Sequence, residues 1–254
     1  MHDEATSGTP QFSIPFDAIL GQQLSSQGRR FGTEHFDFLL RVDFKNIAEH
    51  PYPYIRATEG YYVNAGKRHT IWLNKKSADF EALVLHESMR GILMERGFPK
   101  TKCPVDSACC MEMYYMSSLL GVAVTDPIID HFLTKAGYGV YNREILARRA
   151  IGEAWLDVPQ PIPERYTFLF CKWTLLSVLI MLDPTFEGET VDLLHTVIRR
   201  KFPEARQFGE ELSAAIMTRG FTEPDSALTA MLQLREALKL DDMILVVDAD
   251  GNSI

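Results

Sequence analysis

The chain has 254 residues, of which 46% are hydrophobic and 24% charged, and its formal net charge at pH 7 is -8. This length and composition are ordinary for a globular protein that buries a sizeable core in one large or two small domains. The acidic balance argues against a general nucleic-acid-binding protein, which needs a basic face to displace counterions from phosphates. We therefore expect no nucleic-acid partner.

Cysteine use and hydropathy bear on the compartment. The four cysteines are Cys103, Cys109, Cys110 and Cys171. The N-terminus has no charged-then-apolar secretion pattern, so we expect reduced thiols and a cytoplasmic location. The most apolar stretch, residues 166–182, is shorter than a membrane-spanning helix requires and carries Lys172 in its middle. It therefore favours a buried core helix and no membrane partner.

The N-terminal third predicts a frayed arm and a short sheet. Its elements in chain order are the arm (1–10), a segment that fits either strand or helix (36–44), a turn at Pro51 and Pro53, and two strands (54–58 and 69–73). The glycine-containing segment between the two strands indicates a loop or hairpin.

The best-defined predicted element is a helix that begins after Ser77 and ends at Gly97. Ser77 is a good N-cap, and acidic residues follow in the first turn, where the helix dipole favours negative charge. Apolar residues then recur at helical spacing. Gly97, with Pro99 behind it, is a natural stop.

Most of the remaining chain predicts helices. They are expected at 108–122, 126–135, 164–182, 189–200, 205–218 and 226–238. Pro159, Pro161 and Pro163 form a proline-rich joint before the third helix of this series, 164–182. A terminal strand is predicted at 243–247 and a turn-like segment at 248–252.

The helix after Ser77 contains the run His86-Glu87-Ser88-Met89-Arg90. This run resembles the H-E-x-x-H motif of zincin-like metallopeptidases, and the resemblance extends over about residues 70–138. It implies that His86 is a zinc ligand, that Glu87 is the general base for a metal-bound water, and that Glu112 on the next helix is the third ligand. It also implies that strand 69–74 is an edge strand that binds an extended peptide.

Arg90 stands where the second histidine of the motif belongs. A guanidinium stays protonated and has no lone pair to donate, so the expected cofactor is none or weakly bound zinc. A buried Glu112 would need a partner, and an Arg90–Glu112 pair would join the two helices in place of the metal. Asp126, Asp130 and His131 are weaker third-ligand candidates. The cysteines lack the C-x-x-C spacing of a structural zinc site.

We therefore expect an α+β fold with an N-terminal arm over 1–15, a small zincin-like domain over 16–158 and a mainly helical domain over 159–254. The favoured interpretation is a metallopeptidase-like protein that is non-catalytic and binds or regulates a protein or peptide in the cleft beside the active-site helix. One alternative is a divergent metal-dependent hydrolase with Glu87 as its general base. Another is a helical interaction module in which the motif match is chance.

Overall fold

A computed structural model describes residues 25–56, 58–65, 68–104, 111–141, 143–159, 167–183, 185–248 and 252–254. Within these residues the protein is α+β, and the chain groups into two compact units, 1–88 and 89–254. This boundary differs in place from the proline-rich joint expected at 158/159, where residues 160–166 lie outside the described part. The arm expected at 1–15 also lies outside it.

The first unit is built on a three-stranded mixed sheet. Its strands are β1 (Val42–Asn46), β2 (Gly60–Ala65) and β3 (Arg68–Leu73). The order is β1-β3-β2, with β3 parallel to β1 and antiparallel to β2. Its helices before and between the strands are α1 (Ser26–Glu34), α2 (Phe36–Leu39) and α3 (Pro53–Arg56), with a 3-10 turn at Ile47–Glu49.

The strand predicted at 69–73 is confirmed, but it is the central strand of this sheet and not an edge strand. The strand predicted at 54–58 is wrong. Pro53 begins α3 instead, because proline at the first helical position loses no hydrogen bond, and Arg56 donates to the backbone oxygens of His50 and Pro51. The second strand is β2, in the segment predicted as a loop or hairpin, where two tyrosines and a valine have high strand propensity.

The predicted helix after Ser77 is confirmed as α4 (Phe80–Glu95). Ser77 does not cap it, because the helix begins three residues later and the Ser77 hydroxyl has no hydrogen-bond partner. The predicted stop is correct. Gly97 adopts a φ of 91°, and the Phe98 N–H donates to the carbonyl of Leu93, which satisfies a carbonyl at the end of the helix.

The second unit is mainly helical. Its further helices are α5 (Met111–Lys135), α6 (Glu144–Leu156), α7 (Phe168–Leu182), α8 (Glu189–Lys201), α9 (Pro203–Arg219) and α10 (Pro224–Ala237). Two short strands, β4 (Lys100–Lys102) and β5 (Leu245–Val247), pair antiparallel. The strand expected near the C-terminus is therefore confirmed, whereas its partner β4 was not predicted.

Helix α7 is the central core helix that the sequence predicts. Trp173 is fully buried and stacks on Phe202 at 4.7 Å between ring centroids. Gly209 lets α9 pack closely against α7, because a Cβ at this position would lie 2.7 Å from the Cβ of Ser177 in α7. The buried Lys172 is compensated by Glu153 at 3.0 Å and Asp157 at 2.8 Å. Among the described helices, none combines the length and apolar character needed to cross a bilayer.

The two helices predicted at 108–122 and 126–135 are one continuous helix, α5, which contains Pro127. Proline removes one helical hydrogen bond, and burial of Val124, Ile128 and Ile129 outweighs that loss.

The expectation of reduced thiols is wrong at Cys103, which is disulfide-bonded. Cys109 and Cys110 lie outside the described residues.

Cys171 is a free thiol in α7 and behaves as a small buried hydrophobe. Its Sγ lies 3.7 Å from the backbone oxygen of Leu238, and burial raises the pKa of the thiol to about 12. The thiolate, which is the reactive form of cysteine, is therefore strongly disfavoured at this residue.

Candidate functional site

The first two residues of the motif are buried side chains of the first unit. His86 is 3% exposed and Glu87 is 5% exposed. The Glu87 carboxylate lies against the first residue of β2, because a Cβ added to Gly60 would be 2.7 Å from Glu87 Oε1. Glycine at the start of β2 thus makes room for this side chain, and the expected general base is packed beside backbone.

Arg90, at the position of the second histidine, is held by α5. Its Nη2 donates to Asp126 Oδ1 at 2.6 Å, and its Nη1 donates to Thr125 Oγ1 at 3.3 Å. The Thr125 hydroxyl in turn donates to the backbone oxygen of Gly121 at 2.9 Å. The guanidinium is therefore oriented by two acceptors, and its charge is compensated by a carboxylate that is itself buried.

Asp126 also belongs to a buried network that the sequence did not predict. We call Arg90, Asp126, Asp130, Arg143 and Asp183 the arginine–aspartate cluster. Arg143 lies just before α6 and is 1% exposed. Its Nη1 is 2.8 Å from Asp126 Oδ2, its Nη2 is 2.5 Å from Asp130 Oδ2, and its Nε is 3.0 Å from Asp183 Oδ2. One guanidinium thus ties α5 to the turn that follows α7.

The charges in the cluster do not balance, since three carboxylates face two guanidiniums. Burial raises the pKa of Asp183 to about 6; Arg143 opposes this shift and Asp130 adds to it. The Thr185 hydroxyl, 2.7 Å from Asp183 Oδ1, also stabilises the ionised form. For Arg143, burial alone lowers the pKa, but the three carboxylates outweigh it and raise the pKa above its ordinary value. Asp183 is therefore expected to take up a proton in mildly acidic solution.

The ion pair predicted between Arg90 and Glu112 is wrong, because Arg90 pairs with Asp126. Glu112 is exposed in the first turn of α5, and the 14 residues that separate it from Asp126 correspond to about 21 Å along a helix. His131 is also exposed. Across the part of the chain that is described, no group of three or more His, Cys, Asp or Glu side chains is placed to hold a metal ion.

The donor set therefore does not fit zinc. Among the weaker third-ligand candidates, both carboxylate oxygens of Asp126 and one of Asp130 accept hydrogen bonds from arginines. Arg90 supplies a positive charge in place of a lone pair. Of the predicted zinc-site residues, His86 and Glu87 are the two that the described contacts do not exclude as metal-site residues, and both are buried.

Sequence reasoning missed Arg143, Asp183 and Thr185. The available signal was the pair Asp126 and Asp130, one turn apart in the apolar part of α5, because two buried carboxylates require nearby cations. Nothing local identifies which arginine supplies the cation.

The contact between Arg90 and Asp126 joins the motif helix α4 to the arginine–aspartate cluster. Comparison of the chain with models of protein families, with curated proteins and with solved structures gave no match.

Proposed function

We propose that this protein is a non-catalytic, metallopeptidase-like protein that binds an extended segment of a protein or peptide. The observation that carries the proposal is the contact between Arg90 and Asp126 at 2.6 Å. Asp126 is bonded to a second, buried arginine, so Arg90 belongs to a network that stabilises the second unit. Removing Arg90 from that network to admit a cation would take a charged donor away from a buried carboxylate, which is unfavourable.

The topology of the first unit supports the resemblance on which the proposal rests. A parallel strand pair, β1 and β3, is extended by an antiparallel strand, β2, and the helix with the motif follows the central strand directly. The family resemblance places the peptide-binding strand at the sheet edge beside that helix. In this sheet β2 is an edge strand, and its first residue contacts Glu87.

The outer edge of β2 is the surface that we assign to the partner. In the sheet as described, no other strand pairs with this edge. An edge strand presents a row of backbone donors and acceptors, and an extended peptide completes its hydrogen bonds by adding a strand. This mode of binding needs no metal and no catalytic group.

Purified wild-type protein is expected to carry no stoichiometric zinc, and Arg90→His is expected to gain zinc affinity because two imidazoles then stand one turn apart on α4. Arg90→Leu is the matched control, since it removes the same charge without supplying a lone pair. Isothermal titration with zinc chloride should show tighter binding for Arg90→His than for Arg90→Leu. Stoichiometric zinc in the wild type, with peptide hydrolysis that Glu87→Gln abolishes, would instead establish the hydrolase alternative.

Peptides selected from a random library against the full chain are expected to bind through their main chain. N-methylation of alternate peptide amides should therefore abolish binding in one of the two registers and leave it nearly unchanged in the other, because only every second N–H of an added strand faces the sheet. Fluorescence anisotropy with both methylated series measures this difference. Equal tolerance of both series would rule out strand addition.

A further inference from the structure

Helices α6 and α8 of the second unit lie side by side and run in the same direction. Near their N-terminal ends the Thr190 hydroxyl donates to Glu144 Oε1 at 3.1 Å. At their C-terminal ends Lys201 Nζ donates to the backbone oxygens of Ala154 and Asp157, the latter at 3.0 Å. Lys201 therefore caps α6, and the two C-terminal ends form a common tip.

Large apolar side chains at this tip are exposed. Trp155 is 69% exposed, Leu156 is 83% exposed and Val158 is 69% exposed. Most large apolar residues of the second unit are buried, so three such side chains within four residues are not explained by packing. Exposure this high requires a convex part of the surface, because the wall of a groove would cover part of each side chain.

The same tip is basic, although the chain as a whole is acidic. Arg199 and Arg200 are exposed in the last turn of α8, next to Lys201, whose ammonium lies 5.6 Å from the Trp155 ring centroid. Two carboxylates at this end, those of Glu153 and Asp157, are already compensated. Arg149 and Lys172 each lie 3.0 Å from Glu153, and Lys172 lies 2.8 Å from Asp157. The positive charge of α8 is thus left facing solvent.

We propose that this apolar–basic tip, formed by Trp155, Leu156, Val158, Arg199, Arg200 and Lys201, docks on the anionic surface of a lipid bilayer. Tryptophan prefers the interface between headgroups and acyl chains, and leucine and valine gain from burial in it. The basic residues lie within one Debye length of the headgroups in that orientation, whereas the acidic remainder of the protein is repelled. The sequence predicts no membrane partner because its most apolar stretch is too short to span a bilayer, and a peripheral contact of this kind departs from that prediction.

A convex tip also distinguishes a bilayer from a protein partner. A protein partner would have to bring a groove with acidic walls, whereas a fluid bilayer adapts to any protruding side chain. We therefore favour a bilayer as the partner of the tip. The experiment below also tests the other possibility, an acidic protein.

Flotation of the full chain with vesicles tests the proposal. Vesicles that contain phosphatidylserine are expected to bind the protein, and vesicles of phosphatidylcholine alone are expected to bind it at least about tenfold less. Trp155 emission should shift to the blue on binding, and Trp155→Phe should remove the shift because Trp155 is the tryptophan that the tip exposes. The double variants Trp155→Ala/Leu156→Ala and Arg199→Glu/Arg200→Glu should each lower binding by about tenfold or more.

The matched controls are Leu40→Ser, which removes an apolar side chain that is 61% exposed, and Lys135→Glu, which reverses an exposed charge in the last turn of another helix. Both should bind vesicles as the wild type does. Circular dichroism melts of all variants exclude unfolding as the cause of a loss. Undiminished binding by the tip variants, or no binding to either vesicle, would overturn the proposal. Binding to soluble polyglutamate but not to vesicles would overturn it in favour of an acidic protein partner.

Discussion

Replacing Arg143 by methionine is expected to lower the free energy of unfolding by about 3–5 kcal/mol. Methionine fills a similar volume, but it removes the guanidinium that pairs with three buried carboxylates, those of Asp126, Asp130 and Asp183. Ionised carboxylates without a partner in a low-dielectric interior are strongly unfavourable. Urea denaturation followed by circular dichroism measures the loss.

Arg148→Met is the matched control for Arg143→Met, because Arg148 lies in α6, the helix that Arg143 precedes, and is paired with Glu144 at the surface. Its side chain is 71% exposed, so we expect a loss below about 1 kcal/mol. Arg143→Lys keeps the charge but loses the planar fork, and its stability should fall between the two. If Arg143→Met is as mild as Arg148→Met, the cluster does not stabilise the second unit.

A double-mutant cycle locates the cause of the loss. Adding Asp130→Asn to Arg143→Met removes one of the uncompensated charges, so part of the stability should return. A cavity left by the arginine would not be repaired by this second change. Recovery thus separates the electrostatic origin of the effect from a packing origin.

The parts of the fold that local chemistry determines could be predicted from the sequence. Helix α4 follows from apolar spacing and from Gly97 at its end, and the core role of α7 follows from an apolar run too short to span a membrane. Errors arose where long-range burial decides. Pro127 marks a helix boundary in isolation, yet the packed residues on both sides of it keep α5 continuous.

The candidate site was predictable only in its first turn. His86, Glu87 and Arg90 are recognisable because the motif is local. The carboxylate that pairs with Arg90, Asp126, lies 36 residues further along the chain. Asp130 accepts a hydrogen bond from Thr185, which is 55 residues away from it in sequence. The sequence contains many other carboxylates at similar separations from Arg90, so sequence separation alone does not identify its partner. The choice of Asp126 over Glu112 follows from where α5 lies against Arg90, which no local pattern encodes.

The stability of the second unit is expected to fall as the pH rises from about 4 to about 6, through the contribution of Asp183. The folded-state pKa of this carboxyl is about 6, whereas its ordinary value is 3.8. Between these values the folded protein holds a proton that the unfolded chain has released, so each step up in pH favours unfolding. The contribution, up to about 3 kcal/mol, is present below pH 4 and is lost once the pH exceeds about 6.

Asp183→Asn should flatten this dependence, because an amide cannot titrate. His50 and His195 contribute the opposite slope, since burial lowers the pKa of both, but they are common to wild type and variant. The difference between the two unfolding curves across pH 4–8 therefore reports Asp183. Asp242→Asn, at an exposed position after α10, should keep the wild-type slope. Parallel curves for wild type and Asp183→Asn would mean that the surplus negative charge of the cluster resides on another carboxylate.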